Sequence, residues 1–178
     1  MQKINKWFWV LALSSIVALT TIVCSGNDTN FSSVLTAPNL KLSLYENENH
    51  TPGSILNLSR DLINQPIIIN FWYPSCPPCR EEIGNIESAY IKYKDQGLMV
   101  IGVQSLILDS VEDGQQFVDE FGITYAVGAD IKSTIQIKYE VIGFPTTFFL
   151  NREHKIVRKW SGLLDNNQLD IFISEILN

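Results

Sequence analysis

The run Ile67-Ile68-Ile69-Asn70-Phe71-Trp72, closing three residues before Cys76-Pro77-Pro78-Cys79, constrains this chain more than any other feature. A short, almost unbroken stretch of β-branched and aromatic residues reads as a strand buried inside a sheet. After Cys79, the residues Ile83, Ile86 and Tyr90 fall on one helical stripe, so a helix follows the strand. Pro77 suits the first helical position, which places Cys76 where that helix begins. Two thiols therefore stand together at the mouth of a buried strand. Cysteines in this spacing can close a small disulfide ring or open to a dithiol, and the prolines between them limit the rearrangement needed.

The helix start has an electrical consequence. Its positive end lies against the Cys76 sulfur and favours thiolate over thiol, which makes Cys76 the expected nucleophile and Cys79, one turn inside, the resolving partner. Pro78 has no N–H to offer the thiolate and no imidazole stands between the cysteines, so the expectation is a reductant or mild exchanger rather than a strong oxidant. A structural disulfide or a zinc site would use the same residues. Zinc needs two more ligands, and the remaining candidates Cys24, His50 and His154 have no paired spacing. His50 and His154 are expected in solvated turns, without a ligand or catalytic role. No metal and no organic cofactor is expected.

The segment Asn70-Phe71-Trp72-Tyr73-Pro74-Ser75-Cys76-Pro77-Pro78-Cys79-Arg80-Glu81-Glu82 resembles the active-site stretch of the membrane-tethered TlpA/ResA family of thiol-disulfide oxidoreductases, which have a thioredoxin fold. Downstream, Val141-Ile142-Gly143-Phe144-Pro145-Thr146-Thr147-Phe148-Phe149-Leu150 resembles the family's cis-proline segment, and Asn151-Arg152-Glu153-His154-Lys155-Ile156-Val157 the hairpin turn after it. The similarity covers roughly residues 40–178. It implies that Cys76 attacks, that Cys79 resolves, and that Pro145 lies beside the disulfide behind a cis bond from Phe144. The backbone of Phe144 is then free to pair with an extended substrate. Glu82 matches the family's acidic residue three places after the resolving cysteine, one helical turn on, where a carboxylate can shuttle the resolving thiol's proton. Asn70 takes the position where cytosolic thioredoxins carry a buried aspartate. Trp72 is expected as a wall of the site that substrate touches. The chain departs from the family pattern at Ser75, where many relatives have tryptophan, and at Gly84, where a helix-kinking proline is common; Gly84 leaves room for a bend and a looser first turn.

The rest of the chain supplies a setting for that site. Residues 40–44 and 55–58 read as an N-terminal strand pair, 98–104, 125–128, 146–150 and 155–161 as further strands, and 111–121, 131–139 and 167–177 as helices. This alternation fits an α/β fold, a central mixed sheet flanked by helices. Residues 7–24 form an uncharged, mostly apolar run behind Lys3 and Lys6, long enough at about 1.5 Å per residue to span a thin bilayer. A signal anchor over residues 1–26 is expected, with a cleaved signal or lipid on Cys24 as alternatives, then a linker over 27–38 and the thioredoxin-like domain over 39–178. Beyond residue 26 the chain has 11 basic and 19 acidic side chains, a net charge of −8, so nucleic acid is excluded as a natural partner.

The expected protein is therefore a membrane-anchored, extracytoplasmic disulfide reductase. It would act on a disulfide-bearing client protein, and the resemblance implies re-reduction by a membrane-embedded thiol electron donor, with cytochrome c maturation or copper-site assembly as the family's client settings. Two other classes use the same cysteines: a thiol peroxidase, with one cysteine flanked by threonine and arginine, and a copper-binding thiol chaperone drawing on His50 or His154.

Overall fold

In the computed structural model, which describes residues 35–177, Ile67–Trp72 forms a strand buried at every position. Successive side chains of a strand point to opposite faces, so Ile67, Ile69 and Phe71 enter one core, and Ile68 and Trp72 enter the other. A strand with two apolar faces needs cover on both, and this requirement organises the rest of the chain.

The elements run β1 (Lys41–Leu44), β2 (Ile55–Asn57), α1 (Leu58–Asp61), β3 (Ile67–Trp72), α2 (Pro77–Tyr93), β4 (Met99–Ser105), α3 (Val111–Phe121), β5 (Ala126–Asp130), α4 (Thr134–Lys138), β6 (Thr146–Leu150), β7 (Ile156–Ser161) and α5 (Asn166–Leu177). The strands form one seven-stranded sheet in the order β2-β1-β5-β4-β3-β6-β7. Strands β3, β4 and β5 are parallel, while β1, β2, β6 and β7 add antiparallel pairs at the two edges. This is the mixed sheet with flanking helices of a thioredoxin-like fold. Residues of α2, α3 and α5 close the core that holds Ile68, Trp72 and Phe149. Those of α1, α4 and β1 close the core that holds Ile69, Phe71 and Phe148.

Apart from shifts of a single residue, three boundaries differ from the sequence-based expectation, each for a local reason. The helix expected over 131–139 begins only at Thr134, because the Asp130 carboxylate accepts from the backbone N–H groups of Ile135 and Gln136 (2.9 and 2.8 Å) and so fixes the first turn. Strand β5 runs on to Asp130 because Ala129 pairs with Ser43 and Asp130 with Ser105. Residues 35–37, expected as tether, are docked: the Ile156 N–H donates to the Leu35 carbonyl and the Ala37 N–H to the His154 carbonyl, both at 2.8 Å. The expected anchor and the remainder of the linker lie outside the described residues. Among the described residues, no helix is long and apolar enough to cross a membrane.

The close approach of β1 to β5 is set by Gly128, where an added Cβ would stand 2.0 Å from the Ser43 carbonyl oxygen. Backbone cannot yield as a side-chain tip can. Gly128→Ala is expected to destabilise the fold by about 2 kcal/mol, within the range for overpacking, read as a lowered urea midpoint with unchanged slope.

Candidate functional site

Helix α2 starts where β3 leaves the sheet, and Cys76 is its N-cap (φ −79°, ψ 110°) with Pro77 and Pro78 in the first two helical positions. Neither proline has an N–H, so the first helical donor is that of Cys79, which reaches the Cys76 sulfur at 3.2 Å. Cys76 and Cys79 form a disulfide. Only 1% of Cys76 and none of Cys79 is exposed, so a partner sulfur must approach along a narrow line. The helix terminus favours a thiolate at Cys76 once the disulfide opens, and complete burial disfavours one at Cys79.

One turn past Cys79, the Glu82 carboxylate is entirely buried. Its position follows from the parity of β3. Asn70 shares the face of Ile68 and Trp72, towards α2, and its Nδ2 donates to Glu82 Oε1 at 2.8 Å and to Thr147 Oγ1 at 2.9 Å. Thr147 is the residue directly opposite Asn70 on β6. The Leu164 N–H, from the loop before α5, donates to Glu82 Oε2 at 2.9 Å. Burial raises the Glu82 pKa to about 7, and the hydrogen bonds from Asn70 and Leu164 work against that rise. Near neutral pH this carboxyl both holds and releases a proton, as a shuttle beside a thiol requires.

The Phe144–Pro145 peptide bond is cis, as expected from the resemblance. Phe144 packs edge-on against Tyr73, with ring centroids 5.2 Å apart. The Tyr73 carbonyl accepts from the Cys76 N–H at 3.1 Å, so the loop before β6 is coupled to the loop that carries Cys76. Ile142, two residues before Phe144, is fully exposed beside it in sequence.

Other expectations need correction. Trp72 has no exposed surface and stacks on Phe117 of α3 at 4.5 Å, so it backs the cysteines from inside the core and offers nothing for a client to touch. Helix α2 passes through Gly84 from Pro77 to Tyr93 without a break, and the Ser88 hydroxyl donates to the Gly84 carbonyl at 2.7 Å. The two histidines are half-buried rather than solvated. Burial lowers the pKa of His50, and His154 Nε2 lies 2.9 Å from the Leu62 carbonyl. Among the described residues, no three His, Cys, Asp or Glu side chains are grouped to hold a metal ion.

Thr147 and the Leu164 N–H escaped sequence reasoning. Thr147 sits within the cis-proline segment, and its role becomes visible only through the β3–β6 register; nothing in the sequence marks Leu164. The contact of Ser75 with Asp109 was equally hidden, 34 residues apart: Ser75 N–H and Oγ–H donate to Asp109 Oδ2 at 3.1 and 2.8 Å.

Comparison with known proteins places relatives beside this geometry. The model of the AhpC/TSA family matches residues 35–159. The thiol-disulfide oxidoreductase ResA of Oceanobacillus iheyensis is 29% identical over 140 residues, covering 79% of this chain and 70% of that one. ResA of Bacillus subtilis is 28% identical over 126 residues, covering 71% and 69%. A solved structure described as a thiol:disulfide interchange protein DsbE from Chlorobium tepidum superposes with a TM-score of 0.70 at 25% identity, covering 80% of this chain and 96% of that one. The chain spans 65 to 70% of the length of the first three curated relatives.

The raised Glu82 pKa also couples to stability. Folded protein keeps this proton up to about pH 7, while the unfolded chain releases it near 4.5. Between those values the folded state binds more protons, so stability falls as pH rises through the window, by on the order of 3 kcal/mol in all. Urea melts of the oxidised protein from pH 4 to 8 are expected to show this fall, and Glu82→Gln to flatten it.

Proposed function

The chain belongs to the AhpC/TSA family, with ResA-type thiol-disulfide oxidoreductases as its relatives, and from that premise we propose that it reduces protein disulfides through Cys76 and Cys79. The observation that supports this most is the disulfide at the start of α2 with the buried, proton-holding Glu82 one turn beneath it.

The chemistry proceeds in two exchanges. The Cys76 thiolate attacks a client disulfide, forming a mixed disulfide and expelling one client thiolate. Cys79 then loses its proton to the ionised Glu82 and attacks the Cys76 sulfur, which releases the second client sulfur as a thiolate; Glu82 passes the proton on to it. Two electrons have moved to the client, and the Cys76–Cys79 bond has reformed. Asn70, Thr147 and the Leu164 N–H hold the Glu82 carboxylate in place for this transfer. Phe144 and Pro145 form the rim against which an extended client segment lies, its backbone pairing with that of Phe144.

The N-terminal sequence supports a setting for this activity. The apolar run behind Lys3 and Lys6 supports a membrane anchor, with the domain on the extracytoplasmic side. Re-reduction of the disulfide there calls for a membrane-embedded thiol donor, and a client such as an apocytochrome c awaiting haem attachment suits a small, acidic, tethered reductant. Against peroxide chemistry stands the engagement of Arg80. Its guanidinium is paired with Glu120 and lies over the rings of Phe117 and Phe121, 5.2 and 4.9 Å from their centroids, instead of facing Cys76.

Two variants test the assignment. Cys76→Ser is expected to cut reduction of a model protein disulfide by at least about 10³-fold, as loss of a covalent nucleophile does. Cys79→Ala is expected to accumulate a mixed disulfide on Cys76 that mass spectrometry detects. Unimpaired turnover by Cys76→Ser would remove the proposal.

A further inference from the structure

Ser75 directly precedes the nucleophile, and both of its donors are taken by one carboxylate. Its N–H and Oγ–H meet Asp109 Oδ2 at 3.1 and 2.8 Å, from the loop joining β4 to α3. That loop is itself held where it enters α3. Gln104 Nε2 donates to the Ser110 carbonyl at 2.8 Å, and Ser110 forms a reciprocal cap with Asp113 at the start of α3. On its other side, the Arg80 guanidinium donates to the Pro74 carbonyl at 3.3 Å. Pro74, Ser75, Arg80, Asp109, Phe117 and Glu120 thus share a polar groove of about 260 Å³ at the loop before Cys76.

The charges around Cys76 can be enumerated. From α2 come Arg80, paired with Glu120 of α3, the exposed Glu81, and Glu82, which is buried and half-protonated near neutral pH. From β3 and its loop comes only the Tyr73 side chain; residues 142–145 and 162–164 bring no ionisable side chain. Asp113 of α3 is engaged with Ser110. Asp109 has no cationic partner among the described residues and is held one residue from Cys76 by two hydrogen bonds. Its charge opposes the positive end of α2 at the sulfur.

We propose that Asp109 is a positioning residue which, through Ser75, fixes the loop before Cys76 and holds a counter-charge there that keeps the Cys76 thiol less acidic and the couple more reducing. The physics is direct. A less stabilised thiolate means a less stabilised reduced form, and a dithiol that gives up its electrons more readily. The proposal rests on Cys76 being the exchanging sulfur. It deepens that assignment by naming what sets the direction of exchange in a chain with serine at this position.

The test is the pH midpoint of Cys76 alkylation in the reduced full-length protein, resolved by peptide mass spectrometry so that Cys24 and Cys79 are read separately. Asp109→Asn keeps acceptor geometry for Ser75 and removes the charge. It is expected to lower the midpoint by about half a pH unit, the size of one partly screened charge at short range, and to make the couple measurably more oxidising. Asp113→Asn, a charge of the same groove not tied to Ser75, is expected to shift it less. An unchanged midpoint in Asp109→Asn, or an equal shift in both variants, overturns the proposal. The midpoint is readable whether or not the protein reduces a given client, so this outcome is separable from failure of the reductase assignment.

Discussion

The double-sided burial of β3 is the constraint on which the rest of the site depends. Because both faces of this strand are covered, the side-chain alternation leaves no freedom in where Asn70 points. It faces α2, where its Nδ2 donates to the Glu82 carboxylate and, across to β6, to the Thr147 hydroxyl. A carboxyl in an apolar interior is costly to ionise unless donors meet it. Asn70 and the Leu164 N–H supply two, enough to bring its pKa to about 7 and no lower. The strand that anchors the sheet thereby also tunes the buried carboxyl one turn past Cys79.

At the other end of the same strand, chain geometry fixes the reactive sulfur. The helix begins immediately beyond the strand's end, and two prolines remove the first donors that would otherwise crowd the Cys76 sulfur. Its electrostatics are consequently a balance of modest forces: one N–H from Cys79 and the helix terminus on one side, the Asp109 carboxylate on the other. Neither side has the strength to make a thiolate of extreme stability. That balance is the physical basis on which we propose a reducing rather than an oxidising couple.

Much of this was legible in the sequence, because the signals were local. The apolar run, the Cys76 and Cys79 spacing and Pro77 at the helix start each specify backbone within a few residues, and all three stand as expected. The cis bond before Pro145 and the place of Glu82 came from the family resemblance instead, and the cis bond is present. What sequence could not supply was long-range pairing. Thr147 acquires its part only from the β3–β6 register, Leu164 only from a loop 82 residues away, and Asp109 from a loop on the neighbouring strand. Trp72 was misplaced for a related reason: its nearness to the cysteines in sequence suggested a wall of the site, but the side chain is fully buried and stacks on Phe117 of α3.

The central claim is that Cys76 is the activated sulfur and Cys79 the quiet one. The most direct measurement is the order in which the two thiols of the reduced protein ionise, followed for each cysteine by NMR of the labelled side chains. Cys76 is expected to ionise below the ordinary cysteine value of about 8.5 and Cys79 above it. Ionisation of Cys79 first, or of both together near the ordinary value, would contradict the account.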